Sequence, residues 1–248
     1  MKILAIDTST SFASVAIAVD EQVVAESLLS TNRTLSARLV PEIERLLTTA
    51  GLSFNDIDIY ASTIGPGSFT GVRGGIATIQ GLALATGKPC AAFSSLALLA
   101  MNFSLSPIPV CVLLDARKSE VYAALYNCSS AIPTPIITDC VLPPALLLDQ
   151  IAALNKHSII FVGDGAVRYH DLIAERLGDQ AVFAPYPLNS PHAANGTVLA
   201  LHASRCGALP GPGQLLPLYL RASDAEINRT KNTPGSLEIQ PLLTGGTI

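Results

Sequence analysis

The sequence predicts an α/β protein, with mixed sheets flanked by helices. Three observations carry that prediction. Short apolar runs closed by turn residues alternate with longer runs of helical period. One plan, an apolar strand ending on aspartate, a short turn and a second strand, occurs at 3–19 and again at 110–126. Between the apolar run 57–64 and the proline-free run 73–86 stands Gly65-Pro66-Gly67-Ser68-Phe69-Thr70-Gly71, the composition of a strand-to-helix turn.

Taken in order, 3–6 is a strand closing on Asp7, 8–12 a turn, and 13–19 and 23–29 two further strands, an antiparallel meander. Residues 34–50 read as a helix, with Leu35, Leu39, Ile43, Leu46 and Leu47 in helical period and charges on the other faces. Pro41 sits inside it and should kink it or remove one hydrogen bond, and Gly51 ends it. The glycine loop then launches a second helix, with Ser68 or Thr70 as cap and a stop at Gly87-Lys88-Pro89. A short strand follows at 90–93, and Ser94 or Ser95 caps a third helix reaching 102.

Two prolines and two serines at 104–109 mark a boundary, which divides the chain into units at 1–103 and 104–221. The second unit opens with a strand at 110–115, a turn at 116–120 and a strand at 121–126. A proline-rich connection covers 133–144, and a helix 145–155. A strand at 157–162 leads into Gly163-Asp164-Gly165-Ala166. A helix follows over 167–177, and another opens at Ser190-Pro191. From 222 the composition turns polar and rich in Gly, Pro, Thr and Asn, the signature of a poorly ordered tail.

Composition narrows the function classes. Apolar residues make up 49% of the 248 and charged residues 14%, so the chain has ample material for a buried core. A net charge of −4 argues against strong unaided nucleic-acid binding, which needs clustered positive charge. The start reads as no signal peptide, and no run reaches the roughly 18 apolar residues of a membrane span. Cys90, Cys111, Cys128, Cys140 and Cys206 are widely spaced with no Cys-x-x-Cys pair, which reads as reduced thiols in a cytoplasm.

Candidate chemistry centres on loops. Gly65 and Gly67 permit a turn whose free N–H groups converge, as an anion site requires. Asp7 and Asp115 each end a buried strand, and facing each other they could hold magnesium over nucleotide phosphates. Gly163, before a helix, could carry a nucleoside or phosphate. Equally, each aspartate could simply cap a turn, since Thr8-Ser9-Thr10-Ser11 lacks the glycine a phosphate-gripping hairpin uses. His157, His170, His192 and His202 offer no helical metal-ligand pair, so no metal site is expected. No Gly-x-Ser-x-Gly elbow and no P-loop lysine is present, and no nucleophile with its base stands out. In the second helix Ala77, Gly81 and Ala85 recur every four residues, with Gly71 and Gly75 extending the small face. Interior glycine costs roughly 1 kcal/mol against alanine. Close approach of another backbone, from the chain's own sheet or from a partner, would offset it.

Five segments in order carry a resemblance: the opening Ile3-Leu4-Ala5-Ile6-Asp7-Thr8-Ser9-Thr10, the run from Gly65 to Arg73, Leu113 to Tyr122, Gly163-Asp164-Gly165, and Pro217-Leu218-Tyr219-Leu220-Arg221. Over about residues 1–221 the chain resembles the TsaB (YeaZ) family. The resemblance implies two ribonuclease-H-like domains of the actin, heat-shock-cognate and sugar-kinase type. It implies a role in making threonylcarbamoyladenosine on tRNA, as a non-catalytic scaffold for the paralogue TsaD, with TsaE as the associated ATPase. Further implications are a homodimer when alone, contact with tRNA only through the complex, and no cofactor of its own, with ATP and magnesium at the partner interface. TsaD carries a metal-binding His pair near the start of its first helix, and residues 34–40 here hold no histidine. Many family members have His-Ser where this chain has Leu35-Ser36. The family pairs through its first two helices. On that basis Leu35, Leu39, Ile43, Val72, Ile76, Ile79, Ala77 and Gly81 are the expected interface residues. Two competing classes remain, an ATP-dependent small-molecule phosphotransferase on the same fold and a peptidase of the glycoprotease type.

Overall fold

A computed structural model describes residues 1–30, 35–154 and 158–221. The tail expected from 222, the last residue of the helix expected to 155 and the strand start expected at 157 lie outside the described residues.

The chain forms two five-stranded sheets of the same plan. In the first half, β1 (Lys2–Asp7), β2 (Phe12–Val19) and β3 (Gln22–Ser30) are the antiparallel meander. Next come α1 (Leu35–Thr49), β4 (Ile59–Thr63), α2 (Phe69–Thr86), β5 (Cys90–Phe93) and α3 (Ser95–Ala100). The order β3-β2-β1-β4-β5 has β4 parallel to β1, with Ile3 opposite Ile59. The second half adds β6 (Val110–Asp115), β7 (Val121–Asn127), β8 (Thr134–Leu142), α4 (Pro144–Ala153), β9 (Ile159–Val162), α5 (Asp164–Arg168), α6 (His170–Leu177), β10 (Ala181–Phe183) and α7 (Ala193–Arg205). Its order, β8-β7-β6-β9-β10, repeats the first, with β9 parallel to β6. This is the duplicated ribonuclease-H-like arrangement that the resemblance implies.

Alternation along each strand decides what covers each face. Leu4, Ile6, Val15 and Ile17 point to one side, where α1 and α2 bring Leu39, Ile43, Leu46, Val72, Ile76 and Ile79. Ile3, Ala5, Ala16, Ala61 and Ala91 point to the other, and α7 packs there through Ala193 and Ala200. The alanines let α7 lie close. A Cβ on Gly196 of α7 would stand 2.6 Å from the Phe93 ring. In the second sheet, Cys111, Leu113 and Leu125 pack on α4 and α6, while Val110, Val112 and Leu114 pack on Leu96, Leu99 and Ala100 of α3. Each half therefore lends a helix to the other's sheet. The second unit expected over 104–221 is not one contiguous body, because α7 and Leu215 belong to the core around the first sheet.

Several local expectations hold. Ser68 caps α2, accepting from Gly71 N at 3.3 Å, and Gly87 closes it at φ +69°. Ser94 caps α3. Gly51, at φ +68°, follows the end of α1, which runs through Pro41. Others change. The connection expected at 133–144 is largely β8, and Pro135, the proline inside it, is tolerated because β8 is an edge strand. The helix expected over 167–177 is two, α5 and α6, meeting at Tyr169. The last helix does not open at Ser190-Pro191. Its first N–H groups are satisfied from a distance, Ala193 N by Ser14 Oγ at 2.8 Å and Ala194 N by Glu26 Oε1 at 3.1 Å.

Candidate functional site: the interdomain cleft and the outer face of the paired helices

The loop between β4 and α2 does meet the turn after β1, as a phosphate cradle requires, but the chain fills it. Ser68 N donates to Ser9 O at 2.7 Å, and Thr8 Oγ1 donates to Gly71 O at 2.8 Å. A Cβ at Gly67 would lie 2.3 Å from Ser9 O, one at Gly71 2.1 Å from Thr8 O, and one at Gly75 2.3 Å from Thr8 Oγ1. So Gly67, Gly71 and Gly75 exist to seat α2 on the turn after β1. Gly65 lies deeper. Its carbonyl accepts from Ser95 N at 2.9 Å, and Leu218 N closes on Ile64 O at 2.7 Å. Around the anion site expected at Gly65 and Gly67, Ser9 takes the Ser68 N–H, while Ser95 and Leu218 bond the carbonyls of Gly65 and Ile64.

Asp7 is fully buried. Its Oδ1 accepts from Thr63 Oγ1 at 2.7 Å and from Ser9 N at 3.3 Å, while Oδ2 and Ser9 Oγ are buried without a protein partner. Burial pushes the Asp7 carboxyl above its ordinary value, against the lowering effect of those hydrogen bonds. Asp115 ends β6 at the matching position. Its Oδ2 faces two guanidiniums, Arg168 Nη1 at 2.8 Å and Arg117 Nη1 at 3.2 Å. Its backbone N donates to Asp164 Oδ1 at 2.9 Å. A magnesium ion needs carboxylate oxygens free of cations and open to water and phosphate. Asp7 is sealed and Asp115 is already neutralised, so this pair does not fit the expected magnesium site. No group of three or more His, Cys, Asp or Glu among the described residues is placed to hold a metal ion.

Gly163 opens α5 at φ +105°, and a Cβ there would lie 2.2 Å from Leu113 O. Its N donates to Asn189 Oδ1 at 2.8 Å. This glycine lets α5 press against β6 and does not present its N–H to a ligand. The sequence alone assigns no role to Arg168, Thr63 or Asn189. Arg168 alone had a local signal, lying four residues beyond Asp164 on a helix.

The helix-face residues divide sharply. Leu39, Ile43, Val72, Ile76 and Ile79 are buried in the chain's own core. The interface expectation is corrected there: helical period identifies an apolar face, and the sheet has taken it. The Leu35 side chain lies outside the described residues. Ala77 and Gly81 are exposed, with Ala85 on the same stripe. Nothing lies within 4 Å of a Cβ placed at Gly74 or Gly81. The helix therefore has two small faces, Gly71 and Gly75 inward, Ala77, Gly81 and Ala85 outward. Leu84 is 68% exposed beside the outer one, and Val40 and Pro41 of α1 are exposed too.

Residues 215–221 strap the halves together. Leu215 is buried in the first core, and the Gln80 side chain donates to its carbonyl at 3.0 Å. Tyr219 stacks on Phe69 at 5.5 Å, and Arg221 pairs with Glu120 at 3.0 Å. The turn holding Glu120 places Arg117, Lys118 and Ser119 successively at φ +63°, +53° and +61°. Left-handed backbone costs a residue with a Cβ roughly 1–2 kcal/mol.

Fold and site together define a class: a protein of duplicated ribonuclease-H-like architecture in which the turn after β1 packs tightly against the start of α2. The family model for TsaD, tRNA N6-adenosine threonylcarbamoyltransferase, matches residues 22–229. The tRNA threonylcarbamoyladenosine biosynthesis protein TsaB of Escherichia coli is 38% identical over 175 residues, 69% of this chain and 75% of that one. TsaB of Bacillus subtilis is 28% identical over 228 residues, 91% of this chain and 96% of that one. YeaZ from Pseudomonas aeruginosa superposes with a TM-score of 0.75 at 31% identity, covering 88% of this chain and 99% of that one. The chain belongs to the TsaB (YeaZ) family of tRNA threonylcarbamoyladenosine biosynthesis proteins. Among the described residues, no helix is long and apolar enough to cross a membrane.

Proposed function

We propose that this chain is a non-catalytic pairing subunit in threonylcarbamoyladenosine synthesis, presenting the outer face of α1 and α2 to a TsaD-like transferase. One observation carries the reading: the outward ridge Ala77, Gly81 and Ala85, exposed beside Leu84. A glycine in a helix interior costs about 1 kcal/mol against alanine. At Gly81 no contact within the chain offsets that cost. Close approach of a partner helix does, because small residues let two backbones pack tightly. The burial of Asp7 and the close seating of α2 on the turn after β1 support a role in assembly over one in phosphate chemistry. On this reading the chain is a homodimer alone and exchanges into a heterodimer. A TsaE-like ATPase joins the pair, ATP and magnesium are engaged at the partner interface, and tRNA is met through the assembly in the cytoplasm.

The test mixes the purified chain with the TsaD-like paralogue of the same cell, read by size exclusion with light scattering. A new species of summed mass is expected. Ala77→Glu with Gly81→Arg should abolish it while leaving the chain's own melting transition in place. Independent migration of the two proteins, or undiminished pairing by the charged variant, refutes the reading. Calorimetry of the chain alone with ATP and magnesium should show no heat, and a tight exotherm would favour the phosphotransferase class instead.

A further inference from the structure

We infer that residues 212–221 are a third element of the pairing face, beside α1 and α2, and supply the large apolar anchors that the helices lack. The inference rests on the pairing reading above and extends it. The segment runs back along α2 against the direction of the helix. Near its start the Gln80 side chain donates to Pro212 O and Leu215 O, both at 3.0 Å. Leu218 N then donates to Ile64 O at 2.7 Å. Tyr219 stacks on Phe69 with the ring planes 28° apart, and Arg73 Nε donates to Tyr219 OH. Along α2 the segment therefore meets Gln80, Arg73 and Phe69, and these positions border the outward ridge. Ala77 lies four residues from Arg73 and three from Gln80, and Leu84 lies four beyond Gln80. Residues at those spacings are neighbours on a helix surface.

The ridge by itself is short of surface. Ala77, Gly81 and Ala85 offer two methyl groups between them. They let two backbones approach, but a stable interface buries about 800 Å² on each partner. Most of its energy comes from a few large anchors, with Tyr and Arg prominent among them. The segment along α2 brings such groups. Leu215 enters the core, while Leu216 beside it is 68% exposed, and Phe69 and Tyr219 are each over two-fifths exposed. With Leu84 they edge the ridge on one flank. Exposed apolar residues scattered singly are ordinary, whereas a group along one edge marks a contact surface. The anchors are also held in advance, since stacking and the Arg73 bond fix the Tyr219 ring before a partner arrives. The occupant is the helical face of the TsaD-like partner, because this border continues the ridge proposed to meet it. Two residues beyond Tyr219, Arg221 Nη1 lies 3.0 Å from Glu120 Oε2 in the second half. That clasp fixes the course of the segment, so Arg221 is a positioning residue for pairing.

The test uses the full chain and the purified TsaD-like paralogue of the same cell, with the dissociation constant read by biolayer interferometry. Leu216→Glu should weaken pairing at least about ten-fold, and Tyr219→Ala by about as much, as loss of an interface anchor does. Val167→Glu, a similarly exposed apolar residue on α5, should leave it at the parental value. Leu216→Glu alters an outward side chain only, so it reads pairing without loosening the stack on Phe69. Arg221→Glu should weaken pairing about three-fold, in line with one partly exposed ion pair, and speed hydrogen exchange at Leu218 N. Adding Glu120→Arg should restore both. A parent that forms no pair ends the pairing reading and this inference with it. A parent that pairs while Leu216→Glu and Tyr219→Ala pair as tightly leaves that reading standing and overturns this one. Loss of the self-dimer with the heteropair at parental strength assigns the segment to a second copy and also overturns it. Weakening by Arg221→Glu that the charge swap does not restore overturns the positioning role of the clasp.

Discussion

Substituting alanine for two glycines of α2 should shift stability in opposite directions. Gly71 and Gly81 both lie inside the helix, ten residues apart, and both should gain about 1 kcal/mol from alanine's helix propensity. At Gly81 nothing lies within 4 Å of the new Cβ, so the gain stands. At Gly71 the Cβ would lie 2.1 Å from the Thr8 carbonyl oxygen and 3.3 Å from Ser68 Oγ. The obstacle at Thr8 is backbone, so α2 must lift from the turn after β1. The Thr8 Oγ1 bond to Gly71 O and the Ser68 N bond to Ser9 O loosen with it. Overpacking of this kind costs about 1–3 kcal/mol and each lost hydrogen bond about 1 kcal/mol, so after the propensity gain a net loss of roughly 2–4 kcal/mol is expected. With roughly 2–4 °C per kcal/mol for a protein of this size, Gly71→Ala should melt about 4–16 °C below the parent and Gly81→Ala about 2–4 °C above it. Melting should be followed by circular dichroism at two protein concentrations, because a dimer makes the midpoint concentration-dependent. Gly81→Ala should also weaken pairing with the TsaD-like partner, since the added methyl stands in the proposed contact. A Gly71→Ala protein as stable as the parent would refute the seating of α2 on Thr8. A Gly81→Ala monomer of lowered stability would refute the solvent-facing placement of the outer ridge.

Two further outcomes follow from the buried groups. Folding raises the Asp7 carboxyl above its ordinary value of 3.8, so the unfolded chain releases that proton first. Its contribution to stability is therefore lost as pH climbs from about 3.8 through the raised folded value. Asp7→Asn, which keeps an acceptor for Thr63 and Ser9, should flatten that part of the stability–pH curve in urea titrations and match or exceed the parent at pH 7. An unchanged slope would show that Asp7 is solvated. Among the thiols, Cys206 is exposed, whereas burial pushes Cys90 and Cys128 up to about 11. A chromogenic disulfide reagent at pH 8 should modify Cys206 rapidly and these two only on unfolding, and Cys206→Ser should remove the fast phase.

Period-two and period-3.6 patterning exposed most of the elements in advance. The runs ending on Asp7 and Asp115, the repeat of strand, turn and strand, and the caps at Ser68 and Ser94 are local, and local chemistry decided them. Where non-local partners decided, sequence reading failed. β8 looked like a proline-rich connection because nothing nearby announces that 134–142 lies at a sheet edge. Local residues put the start of α7 too early, at Ser190-Pro191, because its first N–H groups are met by Ser14 and Glu26 on β2 and β3.

The candidate site divides the same way. Which positions of α1 and α2 are apolar or small is written in the chain. Which of them the sheet takes is not: Leu39, Ile43, Val72, Ile76 and Ile79 went to the core, leaving Ala77 and Gly81 outside. Likewise Gly65, Gly67 and Gly163 advertise close approach without saying to what. The answer, Ser9, Leu218 and Leu113, lies tens of residues away along the chain. Residue type sets what a backbone position tolerates, and only the packing of distant segments decides what arrives there.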